Sequence, residues 1–221
     1  MHSVDSVPGQ NLNEEAGSGK NLAELTAKDA ISEAAVSAVK PSPEISVTQT
    51  ETSGQVADAE KFSLRAKSLG LTIKVGTPAD LPELLGLIKE LATFELQPDA
   101  VTNTIEKMKA DGFGPNPVFG FFMARLANGN AVGMAVWYIR YSTWKGRALY
   151  LEDIYIKPEH RALGIGHSLL ETIREEALRQ GCDRVCLQVL DWNKPAIDFY
   201  MRHGAVQDPE WINCVLPAKS Q

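Results

Sequence analysis

From Leu71 onward the apolar positions fall into two rhythms, one of period two and one between three and four, and neither runs through the stretch before it. Leu71 to Val75 alternates as a strand. Thr77-Pro78-Ala79-Asp80 then supplies an N-cap, a first-turn proline and an early acid, and Leu81, Leu84, Leu85, Ile88 and Leu91 give the helix that follows one apolar face. A shorter helix is predicted over Thr104 to Ala110, stopped by Asp111-Gly112. Val118 to Ala127 and Ala131 to Tyr141 read as strands joined across Asn128-Gly129-Asn130, because such residues adopt the left-handed backbone of a tight hairpin. A third strand, Arg147 to Ile156, follows the turn at Ser142 to Gly146. After Pro158 comes a helix with Leu169, Leu170, Ile173, Ala177 and Leu178 on one face, ended by Gly181. Val185, Leu187 and Val189 alternate as a strand, Ala196 to His203 forms a last helix before Gly204, and Trp211 to Leu216 reads as a closing strand. The order β-α-α-β-β-β-α-β-α-β predicts an α+β domain over residues 71–217, a sheet covered by helices.

Residues 1–70 are rich in Ala, Ser, Glu, Thr and Gln and hold one aromatic, Phe62. They bury too little apolar surface to offset chain ordering and are expected to form a disordered tail. Charge marks the same boundary. Residues 1–60 hold ten of the 28 acids and three of the 22 basic residues, leaving 19 basic against 18 acidic in the rest. A neutral body gives no reason to expect nucleic-acid binding. The acidic leader, whose first arginine is Arg65, does not fit an organellar transit peptide; no apolar run approaches a membrane span, and Met-His-Ser-Val-Asp does not open a secretory signal. A cytoplasmic protein is expected. Gly-Ser-Gly-Lys at 17–20 lacks both the earlier glycine and the following Ser or Thr of a phosphate loop. Cys182, Cys186 and Cys214 cannot all pair and offer no zinc spacing, so buried reduced thiols and no metal are expected.

The chemistry concentrates where a strand meets a glycine loop and a helix start, Arg161-Ala162-Leu163-Gly164-Ile165-Gly166. Glycines let main chain approach a ligand closely, and the unpaired N–H groups of a first helical turn suit a phosphate or pyrophosphate, with Arg161 adding charge. An ordinary strand-to-helix turn with glycines used for packing is the other reading of this hexapeptide. The loop resembles the acyl-CoA signature, Arg-x-x-Gly-x-Gly, of the Gcn5-related N-acetyltransferases (GNAT). Tyr150-Leu-Glu-Asp-Ile-Tyr155, Asp191-Trp-Asn-Lys-Pro-Ala-Ile-Asp-Phe-Tyr200, Glu90-Leu-Ala-Thr-Phe-Glu95, Asp111-Gly-Phe-Gly114 and Tyr141-Ser-Thr-Trp-Lys-Gly-Arg147 resemble the spermidine/spermine and thialysine branch of that superfamily.

The resemblance implies the GNAT fold, a mixed and mostly antiparallel sheet flanked by helices. It also implies acetyl-CoA as co-substrate, transfer to the amine of a small cationic metabolite, and a homodimer. By the same resemblance, main chain at Ile154 and Ile156, around Tyr155, pairs with the pantetheine arm. Arg161, Ala162, Leu163, Gly164, Ile165, Gly166 and His167 hold the pyrophosphate, and Asn193 and Ala196 contact the cofactor. Phe94, Glu95, Glu152, Asp153 and Trp211 match substrate contacts.

Acyl transfer to an amine needs that amine neutral, and Glu152 is the candidate to take its proton. A solvent-facing strand acid is the alternative. Tyr200 is the candidate to serve the departing sulfur, against a packed helical tyrosine. Where polyamine acetylators carry an acid after the tyrosine, this chain has Ser142, which favours a smaller amine. Acetylation of a protein lysine or N-terminus, and a non-catalytic acetyl-CoA-binding module, are the competing functions.

Overall fold

The computed structural model describes Leu64, Arg65 and residues 68–218, so the expected tail lies outside the described residues apart from its last few. Five strands, β1 (Thr72–Val75), β2 (Gly120–Arg125), β3 (Ala131–Ser142), β4 (Gly146–Ile156) and β5 (Val185–Leu187), form one sheet in the order β1-β2-β3-β4-β5. The first three pairings are antiparallel; β4 and β5 are parallel. The α-helices of nine residues or more among the described residues are α1 (Leu81–Phe94), α2 (Ile105–Phe113), α3 (Ile165–Arg179) and α4 (Lys194–Arg202). The β2–β3 hairpin turns as expected, with Gly129 at φ +84° and the Asn128 side chain accepting from Asn130 N–H at 3.0 Å.

Helices cover both faces of the sheet, which explains why β2 reads as a nearly continuous apolar run. Phe122 and Ala124 join Leu169, Leu170 and Ile173 of α3 in one core; Phe121 and Met123 join Leu81, Leu84 and Leu87 of α1 and Met108 of α2 in the other. On β4 the alternation changes partway. Leu149 and Leu151 belong to the α3 core, yet Tyr155, four residues beyond Leu151, belongs to the α1 core. The cause is a β-bulge: Leu151 pairs with Trp137 and Asp153 with Val136, so Glu152 is the extra residue.

Several sequence expectations are corrected. Helix α2 runs through Gly112 to Phe113, because that glycine makes room for a ring; a Cβ there would sit 2.9 Å from Phe119. Leu178 is 74% exposed, one step of helical rotation off the stripe that Ala177 completes. Strand β5 stops at Leu187, short of Val189. Trp211 to Leu216 forms no strand: alternation alone cannot make one without a partner edge, and Trp211, Ile212, Val215 and Leu216 are exposed. All three cysteines are free, and Cys182 is buried, but Cys186 is half-buried and Cys214 exposed. No helix among the described residues is long and apolar enough to cross a membrane.

Candidate active site

Pairing between β4 and β5 ends at Leu151 and Leu187, just before the bulge. Beyond that point both chains line a cavity of about 780 Å³, Ile154 to Ile156 on one side and Gln188 to Leu190 on the other. The backbone of β4 is therefore an open edge there. Lys157 N–H donates to Val132 O on the β3 side at 2.9 Å, so by alternation the polar main-chain groups of Ile154 and Ile156 face the cleft. That edge can hydrogen-bond an amide-bearing chain laid along it.

The glycine loop forms one end of this cavity. Gly164, at φ +88°, is the N-cap of α3, and the first intrahelical bond runs from Ser168 N–H to Gly164 O at 3.0 Å. The amides of Ile165, Gly166 and His167 thus have no intrahelical acceptor. Ala162 also adopts a left-handed φ, +58°, a conformation that costs a residue with a Cβ about 1 kcal/mol. Ala162, Gly164, Gly166 and His167 line the cavity; Ile165 is buried in the α3 core and Leu163 packs against that core. The Arg161 guanidinium is engaged elsewhere, 4.7 Å from the Phe94 ring centroid and 5.7 Å from that of Tyr155, with Nε donating to Ile156 O at 3.0 Å.

At the other end, side chains converge from separate segments. Phe94 ends α1, and its ring lies 6.0 Å from that of Trp192. Glu95 caps the same helix, Glu152 and Asp153 come from the bulge, and Tyr200 comes from α4; all line the cavity. Burial, then the charges of Glu152 and Glu95, push the Asp153 carboxyl up to about 6. Burial also raises Glu95. The Tyr200 hydroxyl is raised by burial first and then by Asp153 and Glu95, so it stays protonated. Asn193 caps α4, accepting from Ala196 N–H at 3.3 Å, and both residues line the cleft.

Trp211 lies outside the cavity and is 72% exposed. Ser142 is also outside it, accepting from Trp144 N–H and Lys145 N–H at the hairpin tip. His160, Gln188, Arg202, His203 and Asn213 line the cleft without having been singled out in the sequence. Among the described residues, no group of three or more His, Cys, Asp or Glu is arranged to hold a metal ion.

A splayed strand pair, an amide-lined helix start and an acid-phenol cluster together form a cleft with room for a long, phosphate-bearing ligand. The chain belongs to the acetyltransferase (GNAT) family, whose sequence pattern matches residues 85–205. It is similar to thialysine N-epsilon-acetyltransferase of Bos taurus, 42% identical over 140 residues that span 60% of this chain and 82% of that protein. It is also 36% identical over 140 residues to spermidine/spermine N(1)-acetyltransferase-like protein 1 of Homo sapiens, covering 61% of this chain and 20% of that one. Among solved structures, an aminoglycoside acetyltransferase from an uncultured soil metagenomic sample, in complex with sisomicin, shares the fold. That likeness has a TM-score of 0.58 at 19% identity, over 70% of this chain and 99% of the other. The protein is an acetyl-CoA-dependent N-acetyltransferase.

The cleft fits that donor: an open strand edge suits a pantetheine chain with its two amides, and the free amides at the start of α3 suit a diphosphate.

Proposed function

We propose that the protein moves the acetyl group of acetyl-CoA onto the primary amine of a small cationic metabolite, with thialysine, a diamine or a polyamine as acceptor. The observation that carries this is the gathering of Glu95, Asp153 and Tyr200 at one end of the donor cleft. Two half-buried carboxylates there attract a cation, and the names of the relatives agree with that acceptor class.

In the proposed reaction the ammonium gives one proton to a carboxylate, the neutral nitrogen attacks the thioester carbon, the C–N bond forms, the C–S bond breaks, and the second N–H proton leaves to water as the thiolate departs. An alkylamine has a pKa of about 10.4, so its neutral form costs roughly 4 to 5 kcal/mol at pH 7. Glu152 or Asp153 receives the proton, directly or through water. Asp153 is the better matched to neutral pH, because its surroundings already favour the protonated form. Tyr200 donates a hydrogen bond to the departing sulfur. A phenol held above its ordinary pKa by burial is a weak acid, and the incoming cation offsets only the lesser contribution of the Asp153 and Glu95 charges, so the hydroxyl serves as a hydrogen-bond donor.

Ile154 and Ile156 take the pantetheine arm, and Arg161 to His167, with Asn193 and Ala196, take the nucleotide end. Arg161 must leave Phe94 to reach a phosphate. Phe94 and Glu95 face the acceptor. Trp211 joins the acceptor site only through rearrangement or a second copy of the chain, and the exposed apolar residues Ile212, Val215 and Leu216 support a homodimer that covers them. Free thiols at all three cysteines suit the cytosol.

The test is thiol release from acetyl-CoA with thialysine, putrescine, spermidine and a lysine peptide under one condition. Turnover is expected on a small amine and not on the peptide. Tight donor binding without turnover on any amine would sink the reading.

A further inference from the structure

Two histidines at the loop end of the cleft form a hydrogen-bonded chain that the amine chemistry does not use. His167, in the first turn of α3, has Nδ1 3.0 Å from Nε2 of His203, and His203 Nδ1 lies 2.7 Å from the carbonyl oxygen of Phe199. A carbonyl only accepts, so His203 Nδ1 carries a proton. In the neutral ring its Nε2 is then an acceptor, and His167 Nδ1–H donates to it. His167 is thereby fixed as its Nδ1–H tautomer, and Nε2 is the position at which a second proton adds.

The chain is well anchored. The His203 ring packs 4.4 Å from that of Phe199, Arg174 donates to the His203 carbonyl, and both histidines line the cleft. His167 faces Glu171 and Arg174 of its own helix and His203, which caps the C-terminus of α4, while Arg202 of α4 lines the same cavity. Burial dominates and pushes the ring below the ordinary histidine pKa; Glu171 opposes this, and His203 and Arg174 reinforce it. In the free protein at neutral pH the ring is neutral.

We propose that His167 is a positioning residue for the phosphate groups of the acyl donor, taking up a proton from solvent as they enter the cleft, with His203 bracing the resulting imidazolium. This rests on the donor reading given under the proposed function. An anion beside the ring supplies the opposite charge that burial withholds, and the imidazolium then donates from Nδ1 to His203 and from Nε2 toward phosphate oxygen. His203 Nε2 is an acceptor only while Nδ1 keeps its proton, so the Phe199 carbonyl is part of the device. By linkage, donor affinity falls as pH rises through the bound-state pKa, by at most about tenfold per pH unit.

Calorimetric titration of acetyl-CoA into the full chain, in buffers of different ionisation enthalpy from pH 6 to 8.5, reads the proton count directly. Subtracting the His167→Gln result removes the ligand's own titration. The expected result is uptake of a fraction of a proton per site by the wild type, lost in His167→Gln and much reduced in His203→Gln. Repeating with acetyl-CoA lacking its 3′-phosphate separates the sources: retained uptake assigns His167 to the diphosphate, lost uptake to the 3′-phosphate. Donor binding without proton uptake, or the same uptake in His167→Gln, overturns the proposal alone. Absence of acetyl-CoA binding in the wild type overturns the donor reading as well.

Discussion

At the α3 end the cleft is lined largely by main chain: the left-handed Gly164, the first-turn amides and the open edge at Ile154 and Ile156. At the α1 end it is lined by side chains that reach it from α1, β4 and α4 and change one another's acidity. Backbone geometry serves any ligand with the right skeleton and tolerates side-chain change, whereas a cluster of interacting acids is specific and costly to bury. The donor half is therefore expected to fail through binding and the acceptor half through turnover.

The largest effect expected is that of Tyr200→Phe, which lowers kcat by about two orders of magnitude or more with little change in the KM for acetyl-CoA. Thiol-release initial rates check this, and matching losses in both parameters would reduce the tyrosine to packing. Asp153→Asn lowers kcat/KM for the amine by about tenfold to a hundredfold, while in the wild type that parameter falls as pH drops through about 6.

The same substitution moves stability the other way. Folding raises this carboxyl from 3.8 to about 6, so the ionised form opposes folding above that pH and the penalty disappears below the unfolded value. Asp153→Asn should therefore gain about 1–3 kcal/mol at pH 8 and little at pH 4, as denaturant melts at the two pH values would show. In the donor half, Gly164→Ala forces a Cβ into φ +88°. It should loosen acetyl-CoA binding by about tenfold at unchanged amine KM, a cost of about 1–2 kcal/mol. The smallest effect is expected from removing residues 1–63, which lie outside the segment matching the family. Its kcat should stay within about twofold of the full chain; a larger drop would extend the functional unit beyond the cleft.

What the sequence makes legible follows the same division. Strand alternation, the helix stripes and the glycine loop are local features, and Leu81, Leu84, Leu169 and Ile173 are buried as the periodicity implies. The bulge at Glu152 is invisible because register depends on the opposing residues Val136 and Trp137. Nor could spacing show that the Asp153 carboxyl would be pushed up, since that depends first on its burial in the folded cleft and then on charges that include Glu95, 58 positions away. His203 went unnoticed for the same reason: its partner is 36 residues away. Trp211 to Leu216 misled because an alternating hydrophobic text records the ability to pair, not the presence of something to pair with.

The parity inversion along β4 also constrains what evolution or engineering can do with that strand. Up to Leu151 its inward side chains serve one hydrophobic layer, and by Tyr155 they serve the opposite one. Sliding the strand by one position to heal the irregularity would turn part of its length inside out against whichever layer it left. Glu152 and Asp153 therefore sit at a fulcrum locked by both cores at once, and a proposed catalytic position that looks like a local defect is among the hardest in the molecule to edit away.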